Sequence, residues 1–569
     1  MNLGVRWEFD GQIKDINGNN TDIWTGLLST VANNQMPLSL TACGGAMCSA
    51  SVVGNVVTHS EIARYGPPPP GVFVANGNAP FASHAPYSNF APRFGFSWQP
   101  TYSSKLLVRG GFGLFYNRPP IDNIAMALEQ GNPYSATLDY TFPNGATLAN
   151  LYPTAANTPI PGYQGRYFDA ACVTFGTCAY PTNYLFPGQP GSSNLISPMI
   201  SSTWHTPLVR QYNLDVESEF MQGWVFEVGY VGNSGINLEN DTQNQNAAQL
   251  IPAGQNITLN GSFGSVVVTN NSTATVNARV PYVGYAPGGV ELTHFNGTSN
   301  YNSLQTSVRH QMGHGLIMQA AYTWSKAVGN IWSYSADANV ATDMSAQHGA
   351  SPYNRGQRFT VNYSYDLPFG KAWTGAAGKL GRGWNVSGVT LAQSGDPILI
   401  IDSRLGGAYG TSTTTTDAGY SYAQLCPGFK GNLVTPGSIT SKLHDYFNVN
   451  AFNNPTGSNE STCPLPLVAN NGGDPRATDF GNLRPGSVYG PGAFYWDIAF
   501  MKTTQLREAL NLQFRAESYN TFNHPNFSDP VSGNGAQGFN ANVNSSTFGQ
   551  ITSSAVNPRI IQFALKFLF

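Results

Sequence analysis

The sequence is short of charge. Of its 569 residues, 27 are Lys or Arg and 30 are Asp or Glu, so charged residues make up 10% of the chain, against roughly a quarter in ordinary soluble domains. Charge therefore does not secure solubility here. Long hydrophobic runs are missing as well: no segment approaches the roughly 20 apolar residues that a membrane-crossing helix needs. Intrinsic disorder is a poor account, because 41% of residues are hydrophobic and 12% aromatic. The net charge of −3 comes without basic runs, which leaves no electrostatic reason to expect a nucleic-acid partner.

Catalytic motifs are absent too. There is no GxSxG elbow, no P-loop, no HExxH and no dinucleotide fingerprint, so neither an enzyme nor a cofactor is expected. His310 and His314 have i, i+4 spacing, but "RHQMGHG" reads as a tight turn in which that spacing loses its helical meaning. "DINGNNTD" at 15–22 offers oxygen ligands without the distal glutamate of a calcium loop, and polar turn residues are its simpler reading. No resident metal is expected.

Cysteine is scarce: six residues fall by proximity into Cys43 and Cys48, Cys172 and Cys178, and Cys426 and Cys463. The even count suits disulfides in an oxidising compartment, with the connectivity left open. A secretory leader is not visible either. "MNLGVRWEFD" has no basic start and apolar run, and is itself an alternating strand. The expectation is that residue 1 lies inside a longer parent protein.

What the chain does contain is a period of two. The last ten residues, "IIQFALKFLF", put Ile561, Phe563, Leu565, Phe567 and Phe569 on one face of an extended strand. Eleven earlier segments behave alike, including "MNLGVRWEF", "FAPRFGFSW", "KLLVRGGFGLFY", "QYNLDVESEF", "WVFEVGY", "LQTSVRH" and "RFTVNYSYDL". About twelve antiparallel strands are predicted. On each, the charges take the side opposite the aromatics. Arg6 and Glu8 oppose Leu3, Val5 and Trp7; Arg93 opposes Phe94 and Phe96; Arg109 opposes Phe112. Asp215, Glu217 and Glu219 oppose Leu214 and Val216, and Glu227 opposes Phe226. Arg309, Arg358, Asp497, Arg515 and Glu517 continue the pattern towards the C-terminus.

A Lys or Arg on a lipid face near mid-bilayer costs about 2–4 kcal/mol, whereas one in a wet lumen costs little. The separation therefore predicts an all-β transmembrane antiparallel barrel whose thirteen charged positions named above face a polar lumen. Arg210, His310, Lys326 and Lys502 break the pattern at strand ends, where long side chains can reach the interface. Connection lengths agree independently: links after even strands are short, and those after odd strands are long, notably 117–208 and 401–493. Membrane barrels have short periplasmic turns and long external loops. A secreted β-sandwich also alternates, but explains neither this asymmetry nor the terminal phenylalanine.

The final strand resembles the C-terminal signal read by the barrel-assembly machinery of Gram-negative outer membranes, with Phe563, Leu565, Phe567 and Phe569 as its apolar positions. Phrases along nearly the whole chain, among them "LLVRGGFGLFYNRPP", "FEVGYVGNSGINL", "YDLPFGK", "FGNLRPGSVYGPG" and "RAESYNTFNHPNF", resemble the barrel portion of Oar-like TonB-dependent transporters of acidobacterial type. That resemblance implies a parent barrel of about 22 strands, an N-terminal plug, a TonB box engaging an energised complex, and an extracellular ligand. The partners implied are outer-membrane lipid, the assembly machinery and the TonB complex, the last through the N-terminal part. Residues 1–569 then read as one partial barrel domain without plug, TonB box or leader. A self-contained barrel acting as adhesin or passive pore is the alternative, and an outer-membrane enzyme a distant third.

Overall fold

A computed structural model describes residues 1–9, 11, 21–23, 72–74, 86–103, 105–118, 197–201, 203, 205–244, 256–261, 264–268, 290–313, 315–331, 347–370, 372–402, 421–426, 428–452, 482–507, 510–531, 540–543 and 545–569. Twelve strands form one wall, each hydrogen-bonded to the next in chain order. They are β1 (Asn2–Trp7), β2 (Phe90–Trp98), β3 (Leu106–Tyr116), β4 (Leu208–Met221), β5 (Trp224–Asn244) and β6 (Val290–Gly313). The second half comprises β7 (Leu316–Gly329), β8 (Gln357–Asp366), β9 (Trp384–Gln393), β10 (Ala493–Arg507), β11 (Leu510–Tyr519) and β12 (Ile560–Leu568). All eleven pairings along this path are antiparallel. Two short strands, Ser197–Ile200 and Gly349–Ala350, join β6 and β7 off the path. Among the described residues β1 and β12 each have one neighbour, so the sheet is not closed.

An up-and-down order needs alternating links, and these sort by end. At one end the strands are joined through 99–105, 222–223, 314–315, 367–383 and 508–509; at the other they are separated by 8–89, 117–207, 245–289, 330–356, 394–492 and 520–559. Two of the tightest turns require a left-handed backbone, supplied by Gly223 at φ 74° and Gly315 at φ 81°. β5 and β6 run further than the apolar alternation indicates, at 21 and 24 residues. A tilted membrane-crossing strand needs only about 9–11. The excess, "NSGINLENDTQN" in β5, is polar and rises beyond the apolar band as a paired ribbon.

The apolar face of the wall is exposed rather than packed. Trp7, Phe94, Trp98, Phe112, Leu214, Phe226, Phe359, Phe500, Phe514 and Phe563 all present surface. Aromatic rings on this face lie across glycines of the next strand. A Cβ on Gly110 would meet the Phe96 ring at 2.5 Å, one on Gly232 the Tyr212 ring at 2.3 Å, and one on Gly388 the Tyr363 hydroxyl at 2.5 Å. Each glycine is the direct cross-strand partner of its aromatic residue. The ring thus shields backbone that has no side chain of its own, a device that also pins register.

The main packed core lies away from the wall. Pro397–Asp402 pairs antiparallel with Ser421–Tyr422 and Val488–Tyr489, and parallel with Asn540–Asn542. Ile398, Ile400, Phe447, Phe452, Val488, Val543 and Phe548 meet there in one buried cluster. This cap is assembled from the links 394–492 and 520–559, both at the long-link end.

Candidate functional site: the polar face and the outer cap

Period-two geometry puts the predicted charged residues on the face opposite the exposed aromatics, and the register brings several together. Glu217 on β4 sits directly opposite Glu227 on β5, a like-charge pair that would be unfavourable alone. Arg309 on β6 reaches back to one Glu217 oxygen at 2.7 Å, and Arg109 on β3 pairs with the other. One carboxylate therefore ties together three strands of a run of four. Arg515 lies 3.7 Å from Glu517, which also accepts from the Gln562 side chain on β12. Arg6 of β1 pairs with Glu8, just past the strand, at 2.8 Å, and the Arg93 guanidinium stands 4.4 Å over the Phe115 ring.

Other predicted positions have local duties. Glu219 accepts from the Gly223 amide at 3.1 Å and closes the β4–β5 turn. Asp497 accepts from the Asn520 amide at 2.8 Å, fastening the exit of β11, where Asn520 has φ 48°. Asp215 accepts from the Asn213 side chain at 2.5 Å. Arg358 stands near the long-link end of β8, in register between Thr323 and Gln393. Of the cysteines only Cys426 is among the described residues, and it is disulfide-bonded; Cys43, Cys48, Cys172, Cys178 and Cys463 lie outside them. The 15–22 loop is outside them apart from Thr21 and Asp22, and His314 is outside as well.

A recess of about 490 Å³ opens on the polar side, with Arg309, Gln319, Asn362, Asp497, Glu517 and Tyr519 in its lining. Those residues come from β6, β7, β8, β10 and β11. In a flat sheet β6 and β11 would be five spacings, or about 24 Å, apart. Sharing one recess accords with a sheet that curls with its polar side inward.

The outer cap was missed by sequence reasoning. Its signal was the short apolar run "PILII" at 397–401, which breaks the period of two and suits a strand buried on both faces. Polar contacts join the cap to its neighbours, Arg355 pairing with Asp396 at 2.5 Å and Asn354 donating to the Tyr489 hydroxyl at 3.2 Å, and within the cap the Tyr446 hydroxyl donates to the Tyr489 carbonyl at 2.8 Å. Burial, then the Asp396 charge, push the Asp529 carboxyl up to about 6, against the opposing pull of Arg355. Burial also raises Asp396 despite Arg355.

A carboxyl whose folded-state pKa is raised binds more protons folded than unfolded, so cap stability falls as pH rises from about 4 to about 6. Asp529→Asn is expected to flatten this dependence and to stabilise the cap at neutral pH by on the order of 2 kcal/mol. Hydrogen exchange of the cap amides at pH 5 and 7.5 checks it; an unchanged pH dependence in the variant would contradict the assignment.

A curled antiparallel sheet, apolar and exposed outside and ionic within, defines a membrane-spanning β-barrel wall. The chain belongs to the outer membrane beta-barrel domain family, whose model matches residues 1–562, and its place is the outer membrane. No curated protein matches the chain. Among solved structures it is similar to the outer membrane transporter YddB from Escherichia coli, at 10% identity and TM-score 0.38, covering 86% of this chain and 41% of that one. It is also similar to the FrpB iron transporter from Neisseria meningitidis, at 9% identity and TM-score 0.32, covering 78% and 36%. A third is the siderophore receptor PirA from Acinetobacter baumannii, at 8% identity and TM-score 0.33, covering 86% and 41%. The chain thus spans well under half the length of these transporters.

Proposed function

We propose that this chain supplies barrel wall and outer ligand-capturing surface to a TonB-dependent outer-membrane transporter of the Oar-like kind. The observation that carries this reading is the ionic face that bears Arg109, Glu217, Arg309 and Glu517, on a sheet whose other side carries the exposed aromatics. A passive scaffold has no need of a charged inner wall, whereas a plug packing against the wall and a hydrophilic solute passing it both do. The ions that pair across strands hold the wall's register, and the recess offers plug or solute a hydrogen-bonding surface. Capture at the long links would precede movement of the plug, driven by the TonB complex acting on the N-terminal part. Phe563, Leu565, Phe567 and Phe569 serve as the assembly signal.

The ligand need not be known to test this. Compounds taken from the medium by the parent strain are compared with those taken by strains lacking this gene or the energising TonB complex. At least one compound should be spared in both mutants. Uptake lost without this gene but retained without TonB, together with a stable unitary conductance of the purified chain in planar bilayers, would favour a passive pore instead.

A further inference from the structure

The longest link at the short-link end is 367–383, which carries the helix α1 (Gly375–Gly381). We propose that this turn is a lipid-interface anchor, folded outward against the barrel wall to hold anionic phospholipid headgroups of the periplasmic leaflet.

The direction of the fold comes from Lys502. In β10 it shares the parity of Trp496, Ile498 and Phe500, and its cross-strand partner is Trp384, so it stands on the apolar, lipid-facing side. Yet it is only 8% exposed. Its ammonium donates to the Lys379 carbonyl at 2.8 Å and to the Arg382 carbonyl, and lies 5.5 Å from the centre of the Trp384 ring. The C-terminal end of α1, where carbonyls lack helical partners and a cation is favourable, is therefore seated on the outer wall and not beneath the lumen.

The turn is also prepared for a site poor in water. Trp384 donates its indole N–H to the Leu380 carbonyl at 2.9 Å, and Arg382 donates to the carbonyls of Gly370, at 2.8 Å, and Trp373. These bonds satisfy backbone acceptors that hydrocarbon would leave stranded. Meanwhile Trp373 and Leu380 are 55% and 72% exposed, and Phe369 projects with them. Phe500, on the same side of β10 as Lys502 and also exposed, continues this apolar surface into the barrel's outer band. The sequence of the turn contains Lys371, Lys379 and Arg382 and no acidic residue. An aromatic and aliphatic surface with a basic rim is the chemistry of an interfacial segment on anionic lipid.

The test uses the full chain refolded into vesicles of phosphatidylcholine, with and without phosphatidylglycerol, in which the lipid is brominated high on the acyl chain. The chain has ten tryptophans, so the Trp373 signal is taken as the difference between wild type and Trp373→Phe. Quenching of that difference by at least about half is expected, stronger with phosphatidylglycerol and weaker in Lys379→Gln. A Trp373 signal left unquenched while the remaining tryptophans are quenched overturns the proposal and leaves the turn free to meet a periplasmic protein. Equal quenching in both lipids, unaltered by Lys379→Gln, overturns the anionic preference. If no tryptophan is quenched, the membrane-spanning reading itself fails, a distinguishable result.

Discussion

Phe447→Ala is expected to unfold the outer cap while leaving the strand wall standing. Phe447 is 0% exposed; it stacks on Phe548 with ring centres 5.0 Å apart and meets Tyr446 edge-on at 5.5 Å. Its backbone is held as well, since Val434 bridges to Phe447 and a Cβ on Gly549 would come within 3.2 Å of the Phe447 nitrogen. Removing a buried ring of this kind typically costs about 3–5 kcal/mol, through lost burial plus the cavity that surrounding groups cannot refill. The cap's strands are short, and its cluster holds thirteen buried residues among those described. The wall, by contrast, is held by ladder hydrogen bonds and by lipid, neither of which involves Phe447. Limited proteolysis should cut the variant within 394–492 while its heat-modified migration on gels, the sign of an intact barrel, persists. Loss of that migration along with the cap would show that wall and cap fold as one unit, contrary to the expectation.

The second large effect contrasts two neighbours on β12. Leu565→Arg puts a guanidinium on the face shared with Phe563 and paired across to Phe514, midway along the strand. Leu565 is 62% exposed on that face, so the new charge would meet hydrocarbon and not a protein partner. The expected cost is about 2–4 kcal/mol in a bilayer. Ala564→Arg places the same group one residue earlier, on the side of Gln562 and Arg515, and should cost little beyond repulsion from Arg515. Equilibrium unfolding in urea from vesicles measures both. Equal losses for the two variants would mean that the faces have been assigned the wrong way round.

The wall was legible because a barrel strand half in lipid and half in water leaves a period of two, with ions on one side, and because link lengths alternate with it. Every segment read as a strand, from "MNLGVRW" to "IIQFALKFL", lies in the twelve-strand path. Legibility stopped where one of those conditions lapsed. The upper halves of β5 and β6 no longer divide lipid from water, and Asn240, Leu292, Thr293 and Phe295 are buried there, so their alternation vanished and the strands looked shorter. The cap has two buried faces on its central strand, hence the unbroken "PILII", and its contacts join residues far apart in sequence, such as Ile400 with Ala541. No local period reports such a pairing. Parity set the charged residues opposite the aromatics but said nothing of their duties: nothing local announces that Asp497 would hold the Asn520 amide, or that Lys502, expected to reach the interface, would be covered by α1.

The composition of the cap also bears on the order of events in making this protein. Its hydrophobic centre takes Ile398, Phe447 and Val488 from one link and Ala541, Val543 and Phe548 from the next, and the hairpin β10–β11 separates the two. Until that hairpin is laid into the growing sheet, the two groups of side chains have no fixed distance to close, and the loop entropy opposing their meeting is at its largest. Maturation of the outward-facing surface must accordingly wait for insertion of the last strands, so a chain stalled in the membrane would display an unfinished, protease-sensitive exterior.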